Sequence, residues 1–265
     1  MIVSEDRKNY TIRDEIKDYW SLRAETFDQS VGHEIFTETE RNAWYQLITK
    51  HVGKGHGRKA LDLASGTGVI SHLLFDLDFK TTGLDWSETM LAKATEKSIA
   101  RNSDIQFILG DAENTMQPLA SFDLITMRHL VWTLVDPKAA MKHWFDLLRP
   151  TGKLLIVDGN FKHVSWQRQL IKWIEKTYSM FQKVDKHGRT TEILETHNRI
   201  LEQVYFNEGL TANAIVEMLT NLGFENIIVQ TDLSAIHKAQ AKGLGWFKYL
   251  DRSVQHRFAI SATKP

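Results

Sequence analysis

Apolar residues recur at helical spacing through residues 12–52, in IRDEIKDYWSLRAETFD and FTETERNAWYQLITKHV. Gly53, Gly55 and Gly57 then interrupt the pattern and mark a loop. Beyond it the period changes. Short apolar runs at 59–63, 81–85, 105–111, 122–127 and 152–158 predict strands. Helical patterns at 69–74, 87–100 and 137–149 alternate with them. This alternation predicts a doubly wound α/β domain, a parallel sheet with helices on both faces. Its ligand crevice is expected at the carboxyl ends of the strands.

After Asp158 the rhythm breaks. Residues 161–208 are mostly helical in pattern and rich in charge and aromatics, as in WQRQLIKWIEKTYSMF and ETHNRILEQVYF. An excursion of that length exceeds an ordinary connection and reads as a lid. Thr211 then caps a helix that Gly223 ends, and strand patterns follow at 226–232 and 256–264. The chain reads as a single domain over 1–265. It comprises an N-terminal helical cap (1–57), a ligand-binding core (58–160), a lid (161–208) and the rest of the core (209–265).

The chemistry concentrates in KALDLASGTGVISHLL, residues 59–74. A strand runs into Ser65-Gly66-Thr67-Gly68, small residues that permit a sharp turn, and a helix follows. Such a turn aims backbone N–H groups at a ligand and lets it approach the backbone closely. Asp85 follows about 20 residues on, where this fold places a ribose-binding carboxylate. A dinucleotide fingerprint would carry a third glycine, but that position is Ser71. Asp62, at the strand's end, would repel a pyrophosphate and suits a ligand bearing an ammonium group.

Composition narrows the field. Lys plus Arg and Asp plus Glu both number 33, so no basic surplus points to nucleic acid. With no cysteine, disulfides, thiol nucleophiles and thiolate metal sites are excluded. The first 20 residues hold no apolar run of signal-peptide length, and no stretch approaches a membrane span. The expectation is a cytoplasmic protein bound to neither membrane nor nucleic acid. His51, His56, His187 and His197 make no ligand cluster, nor do Glu192 and Glu195, so no metal is expected. No G-x-S-x-G elbow supports acyl-enzyme hydrolysis.

The block Asp62-Leu63-Ala64-Ser65-Gly66-Thr67-Gly68 resembles motif I of the class I S-adenosylmethionine-dependent methyltransferases, with Ala64 where glycine is common. LLRPTGKLLIVD (147–158) resembles that family's L-[RK]-P-G-G-x-L block, with Thr151 in place of the first glycine. Y-W-x-x-R-A-x-x-F-D (19–28) resembles the entry motif of the small-molecule subgroup related to the ubiquinone and menaquinone enzymes. The resemblance covers 58–160 well and 209–264 loosely. It implies a Rossmann-like sheet of seven strands, the last antiparallel, and S-adenosylmethionine as cofactor.

The resemblance also implies roles. Asp62 would meet the methionyl amino group, with Ala64, Gly66 and Gly68 forming the turn. The alternative for Asp62 is a strand-end carboxylate bonded to turn amides. Asp85 would take the ribose hydroxyls or, alternatively, cap the next helix, a task Ser87 could perform. Trp86 either packs on the adenine or joins the core. Asp111 and Ala112 would meet the adenine edge, or Asp111 would serve as a cap. Tyr19 belongs to the helix that closes over the cofactor. Arg128, counted with the cofactor residues, could instead pair with the lid or orient an acidic acceptor. His129, at the carboxyl end of the fourth strand, is the candidate catalytic base, its ordinary pKa lying near neutral. It could equally hold the cofactor through its backbone. Trp20, Trp132, Phe161, Trp166 and Trp246 are the candidate walls of a small-molecule acceptor pocket, though helical spacing alone makes such residues core. The expected activity is methyl transfer. A lyase, decarboxylase or cyclase on the same fold, or a non-catalytic module, is the alternative.

Overall fold

The computed structural model describes residues 10–29, 31–160, 168–169, 171, 173, 191–244 and 246–265. Two helices come first: α1 (Ile12–Phe27) and α2 (Glu38–Val52). Thr11 and Asp14 close a reciprocal capping box on α1, and Thr37 caps α2. The core follows as β1 (Lys59–Leu63), α3 (Val69–Asp76), β2 (Lys80–Asp85), α4 (Glu88–Ala100), β3 (Gln106–Leu109) and β4 (Phe122–Arg128). A 3₁₀ turn (Val131–Thr133) leads to α5 (Pro137–Leu147) and β5 (Leu148–Gly159). The remainder is α6 (Thr191–Gln203), α7 (Ala212–Asn221), β6 (Glu225–Gln230), α8 (Ser234–Gln240), α9 (Trp246–Ser253) and β7 (Arg257–Thr263).

The sheet order is β3-β2-β1-β4-β5-β7-β6. Strands β1 to β5 pair in parallel, and β7 runs antiparallel to both β5 and β6. The architecture expected from the sequence is thus the one observed. Chain direction across the sheet reverses between β1 and β4, and a crevice opens there at the carboxyl ends.

Both faces of the central strands are buried, which explains their nearly continuous apolar runs. Ile125, Met127, Leu154 and Ile156 face α5 and α7 in one core, while Leu124, Leu155 and Val157 join α2, α3 and α8 in the other. Trp144 of α5 is fully buried, and its indole N–H donates to the Ala112 carbonyl at 2.8 Å. That bond ties the helix layer to the crevice rim.

A third, smaller cluster lies above the sheet. Ile16 and Tyr19 of α1 pack on Ile200 and on Val204, just past the end of α6, with Trp20 and Trp86 against them. Arg199 pairs with Glu15 across the same seam.

Candidate functional site

The crevice contains a cavity of about 980 Å³, counting its mouth. Its walls come from the turn after β1, the ends of β2 and β4, the 110–113 loop and α1.

The turn is built for close approach. Ala64, Gly66 and Gly68 all have left-handed φ, at 52°, 55° and 82°. At Gly68 a Cβ would sit 2.9 Å from Phe107 Cζ and 3.2 Å from Ala94 Cβ, so only glycine fits between the turn and the helix behind it. Ala64 accepts the left-handed conformation at a cost of roughly 1–2 kcal/mol and lines the cavity.

Three buried carboxylates stand along the strand ends. Asp62 is 1% exposed and accepts the Ser71 hydroxyl at 2.6 Å. Burial pushes its carboxyl up to about 7, against the opposing pull of Ser71 and the Arg128 guanidinium. Asp85 accepts the Gly66 N–H at 2.8 Å and the Ser87 N–H at 2.9 Å, and burial raises it to about 6. The side-chain cap of α4 is Ser87, whose hydroxyl accepts from Met90 N–H at 3.3 Å. Asp158, at the end of β5, accepts the N–H groups of Val131 and Gly159, each at 2.8 Å, and is raised to about 7 by burial.

At the far end of the cavity Asp111, Ala112 and Glu113 form the wall. Arg13 of α1 reaches across to Asp111 at 2.7 Å and Glu113 at 2.8 Å. Asp111 therefore fastens α1 over the crevice as well as facing it. Trp86 lines the cavity and also leans on the α1–α6 cluster.

Arg128 and His129 occupy the end of β4. Arg128 donates through Nη2 to the His33 carbonyl at 2.9 Å and lies 5.5 Å from the Trp44 ring. Its Nη1 is buried without a hydrogen-bond partner among the described residues. His129 has a left-handed φ of 60°, its N–H donates to the Val157 carbonyl at 3.0 Å, and its carbonyl accepts the Trp132 indole N–H at 3.0 Å. Its Nδ1 lies 3.9 Å from Asp158 Oδ1. Burial first, then Arg257, Arg128, His33 and Arg252, hold the imidazole well below its ordinary pKa.

The structure brings Trp20, Asp62, Ala64, Gly66, Asp85, Trp86, Asp111, Ala112, Arg128 and His129 onto one cavity wall. It sets others apart. Gly68 lies behind the turn, against Phe107 and Ala94. Tyr19 is buried between α1 and α6, stacked on His197 at 5.6 Å, and is not on the wall. Trp132 stands one layer back, edge-on to Trp20 at 6.5 Å. Trp246 is 68% exposed on α9, which leans on α8, so the expectation that it lines the cavity is corrected. Phe161 and Trp166 lie outside the described residues.

Sequence reasoning missed Phe27, His33 and Met90, which also line the cavity. Phe27 was findable, since it closes the Y-W-x-x-R-A-x-x-F-D block. The next residue, Asp28, accepts the Thr67 hydroxyl at 2.6 Å and so pins the end of α1 to the turn. Ser71 was noted only as a missing glycine, yet it is the hydroxyl that holds Asp62.

The profile of a family described as "Methyltransferase domain" matches residues 54–227, two thirds of the chain. The chain belongs to this methyltransferase family. The match spans the glycine turn, all three buried carboxylates and Arg128-His129. A demethylmenaquinone methyltransferase from Renibacterium salmoninarum is 32% identical over 135 residues, 50% of this chain and 54% of that relative. The chain thus spans about half the length of that relative. A ubiquinone/menaquinone biosynthesis C-methyltransferase from Shewanella sediminis is 28% identical over 207 residues, covering 74% of this chain and 78% of its own. Among solved structures, the [4+2]-cyclase SpnF superposes with a TM-score of 0.62 at 15% identity, over 96% of this chain and 97% of that one. At that identity the likeness concerns the methyltransferase fold alone.

Among the described residues, no helix is long and apolar enough to cross a membrane. No group of three or more His, Asp or Glu side chains among them is placed to hold a metal ion.

Proposed function

We propose that the chain is an S-adenosylmethionine-dependent methyltransferase acting on a small-molecule acceptor. The observation that carries this reading is the pair Asp62 and Arg128. A buried carboxylate and a guanidinium line one cavity, and the guanidinium keeps a buried N–H group with no hydrogen-bond partner among the described residues. That arrangement suits the zwitterionic end of an amino acid, its ammonium on Asp62 and its carboxylate on Arg128 Nη1. Asp85 would take the ribose hydroxyls with its remaining lone pairs, and Asp111 with Ala112 the adenine edge, Trp86 covering the ring. Phe27, His33, His129 and Leu130 line the same cavity and would bound the acceptor's side of it.

When bound, S-adenosylmethionine supplies a sulfonium methyl whose leaving group needs no acid. The protein's share is alignment and the exclusion of water. The α1–α6 cover and Trp20, backed by Trp132, would shield the acceptor side next to His129. Phe161 and Trp166 belong to the segment proposed to complete that lid. The even charge balance favours a small acceptor over a polynucleotide.

S-adenosylhomocysteine at about 100 times its Kd is expected to stabilise the protein by about 2.7 kcal/mol. For a chain of this size that raises Tm by roughly 5–10 °C. NAD is expected to do nothing, and stabilisation by NAD alone would reject the assignment. Release of S-adenosylhomocysteine during turnover separates methyl transfer from a cyclase or a lyase.

Binding is also expected to release a proton. Asp62 stands near pKa 7 in the empty protein, and an ammonium beside it favours the charged carboxylate. Affinity should therefore rise by up to about tenfold from pH 6 to pH 7 and level off above. Calorimetry in two buffers of different ionisation enthalpy reads the proton directly. A pH-independent affinity with no proton released would place the ammonium elsewhere.

A further inference from the structure

A second cavity, of about 700 Å³ with its mouth, opens between α2, α3 and α4 on the other side of the 31–36 loop. His72 of α3 forms its floor, and Arg41, Lys97, Arg101 and Glu34 stand around it. His72 is 5% exposed, and both its ring nitrogens lack a hydrogen-bond partner among the described residues. An imidazole always carries a donor and an acceptor or two donors, so this one is buried at the cost of two unmet bonds. An apolar side chain would pack there without that cost.

The cations around it are only partly engaged. Arg101 gives Nη2 alone to Asp76, at 2.8–2.9 Å. Arg41 donates through Nε to Glu38 at 3.2 Å and stands 3.9 Å from Asp76 Oδ2, which also accepts the Tyr45 hydroxyl at 2.7 Å. Lys97 bridges Glu34 and Asp28. At His72 the pull of Arg101 and Lys97 outweighs that of Asp76 and Glu34 and, after burial, helps hold the ring down to about 4.

We propose that this cavity binds a small oxyanion of the phosphate-monoester class, seated on His72 between Arg101 and Lys97. The site lies outside the cofactor cavity but borders it. Val69 lines both, and Asp28, the partner of Lys97, also holds the Thr67 hydroxyl of the glycine turn. An anion that draws Lys97 away from Asp28 loosens that hold. Occupation is therefore expected to weaken cofactor binding, and by linkage the cofactor weakens the anion equally. This coupling rests on the proposed cofactor reading; the site itself does not.

Inorganic phosphate is the probe, with NMR of histidine-labelled full-length protein as the readout and His72→Phe assigning the signal. The His72 resonance should shift saturably, and its titration midpoint should rise from about 4 to about 6 as the anion favours the imidazolium. Arg101→Gln should weaken the phosphate response about tenfold or more and keeps the test open if His72→Phe fails to fold. At saturating phosphate the Kd for S-adenosylhomocysteine should rise about fivefold or more. A His72 signal indifferent to phosphate, or a response unchanged in Arg101→Gln, overturns the site and leaves water as the partner of the ring. An unchanged cofactor Kd beside a responsive His72 overturns the coupling. Failure to bind S-adenosylhomocysteine at all would strike the cofactor reading and leave the His72 response standing.

Discussion

Asp85→Ala is expected to weaken S-adenosylhomocysteine binding by about 10²–10⁴-fold. Two hydrogen bonds from ribose hydroxyls to a carboxylate are worth about 1.5–3 kcal/mol each, and each 1.4 kcal/mol is a factor of ten. The structure supplies a second contribution. Asp85 clips the Gly66 N–H to the start of α4 through Ser87, so its removal also frees the turn that faces the ligand. The fold should survive. Burial raises the Asp85 carboxyl to about 6, so the charged form is costly in the empty protein and alanine removes that cost along with the bonds. The N-cap of α4 remains with Ser87. Asp85→Asn keeps the shape and one acceptor but no charge, and should fall between the two. Calorimetry alongside a thermal melt decides: affinity within a few fold of the parent, with a lowered Tm, would make Asp85 only a clip for the turn.

The parts legible in the sequence are those written in local pattern. Strands buried on both faces leave apolar runs, and the turn after β1 announces itself because Gly66 and Gly68 adopt left-handed φ. Thr151 shows the same requirement from the other side. It takes a φ of 65° where the resemblance expects glycine, so the block is recognisable though its residue differs. The parts that were not legible depend on distant segments meeting. Arg13 reaches Asp111 across 98 positions of sequence, and no local spacing encodes that pair. The imidazole of His129 is set by burial first and then by cations distant in sequence, among them Arg257 at the start of β7 and Arg252 of α9. Trp246 misled for a related reason. Its aromatic neighbourhood resembles a pocket wall, but an amphipathic helix does not record which element it will lean on, and α9 leans on α8 rather than on the crevice.

His129→Asn should lower turnover by roughly 10²–10⁴-fold if the imidazole takes the acceptor's proton. The structure both supports and constrains that role. The side chain stands at the end of β4 on the cavity wall, and burial, helped by the cations around it, keeps it neutral and able to accept a proton. A base this weak suffices where the acceptor is a neutral hydroxyl, because methylating its oxygen gives an oxonium, a strong acid that gives up its proton as the new bond forms. Asparagine is the informative replacement. It tolerates the left-handed φ of 60° and so preserves the backbone bonds to Val157 and Trp132, but it cannot carry the proton. Cofactor affinity should stay within a few fold. The pH dependence tests the electrostatics separately. Protonation inactivates the base, and its pKa lies well below 6.5, so kcat at saturating cofactor should be flat across pH 6 to 8 and fall only at lower pH. An inflection near 6.5 that vanishes in His129→Asn would show the ring to be far less shielded than its surroundings dictate. Turnover close to that of the parent would leave His129 a backbone support and methyl transfer to alignment alone, which a sulfonium donor permits.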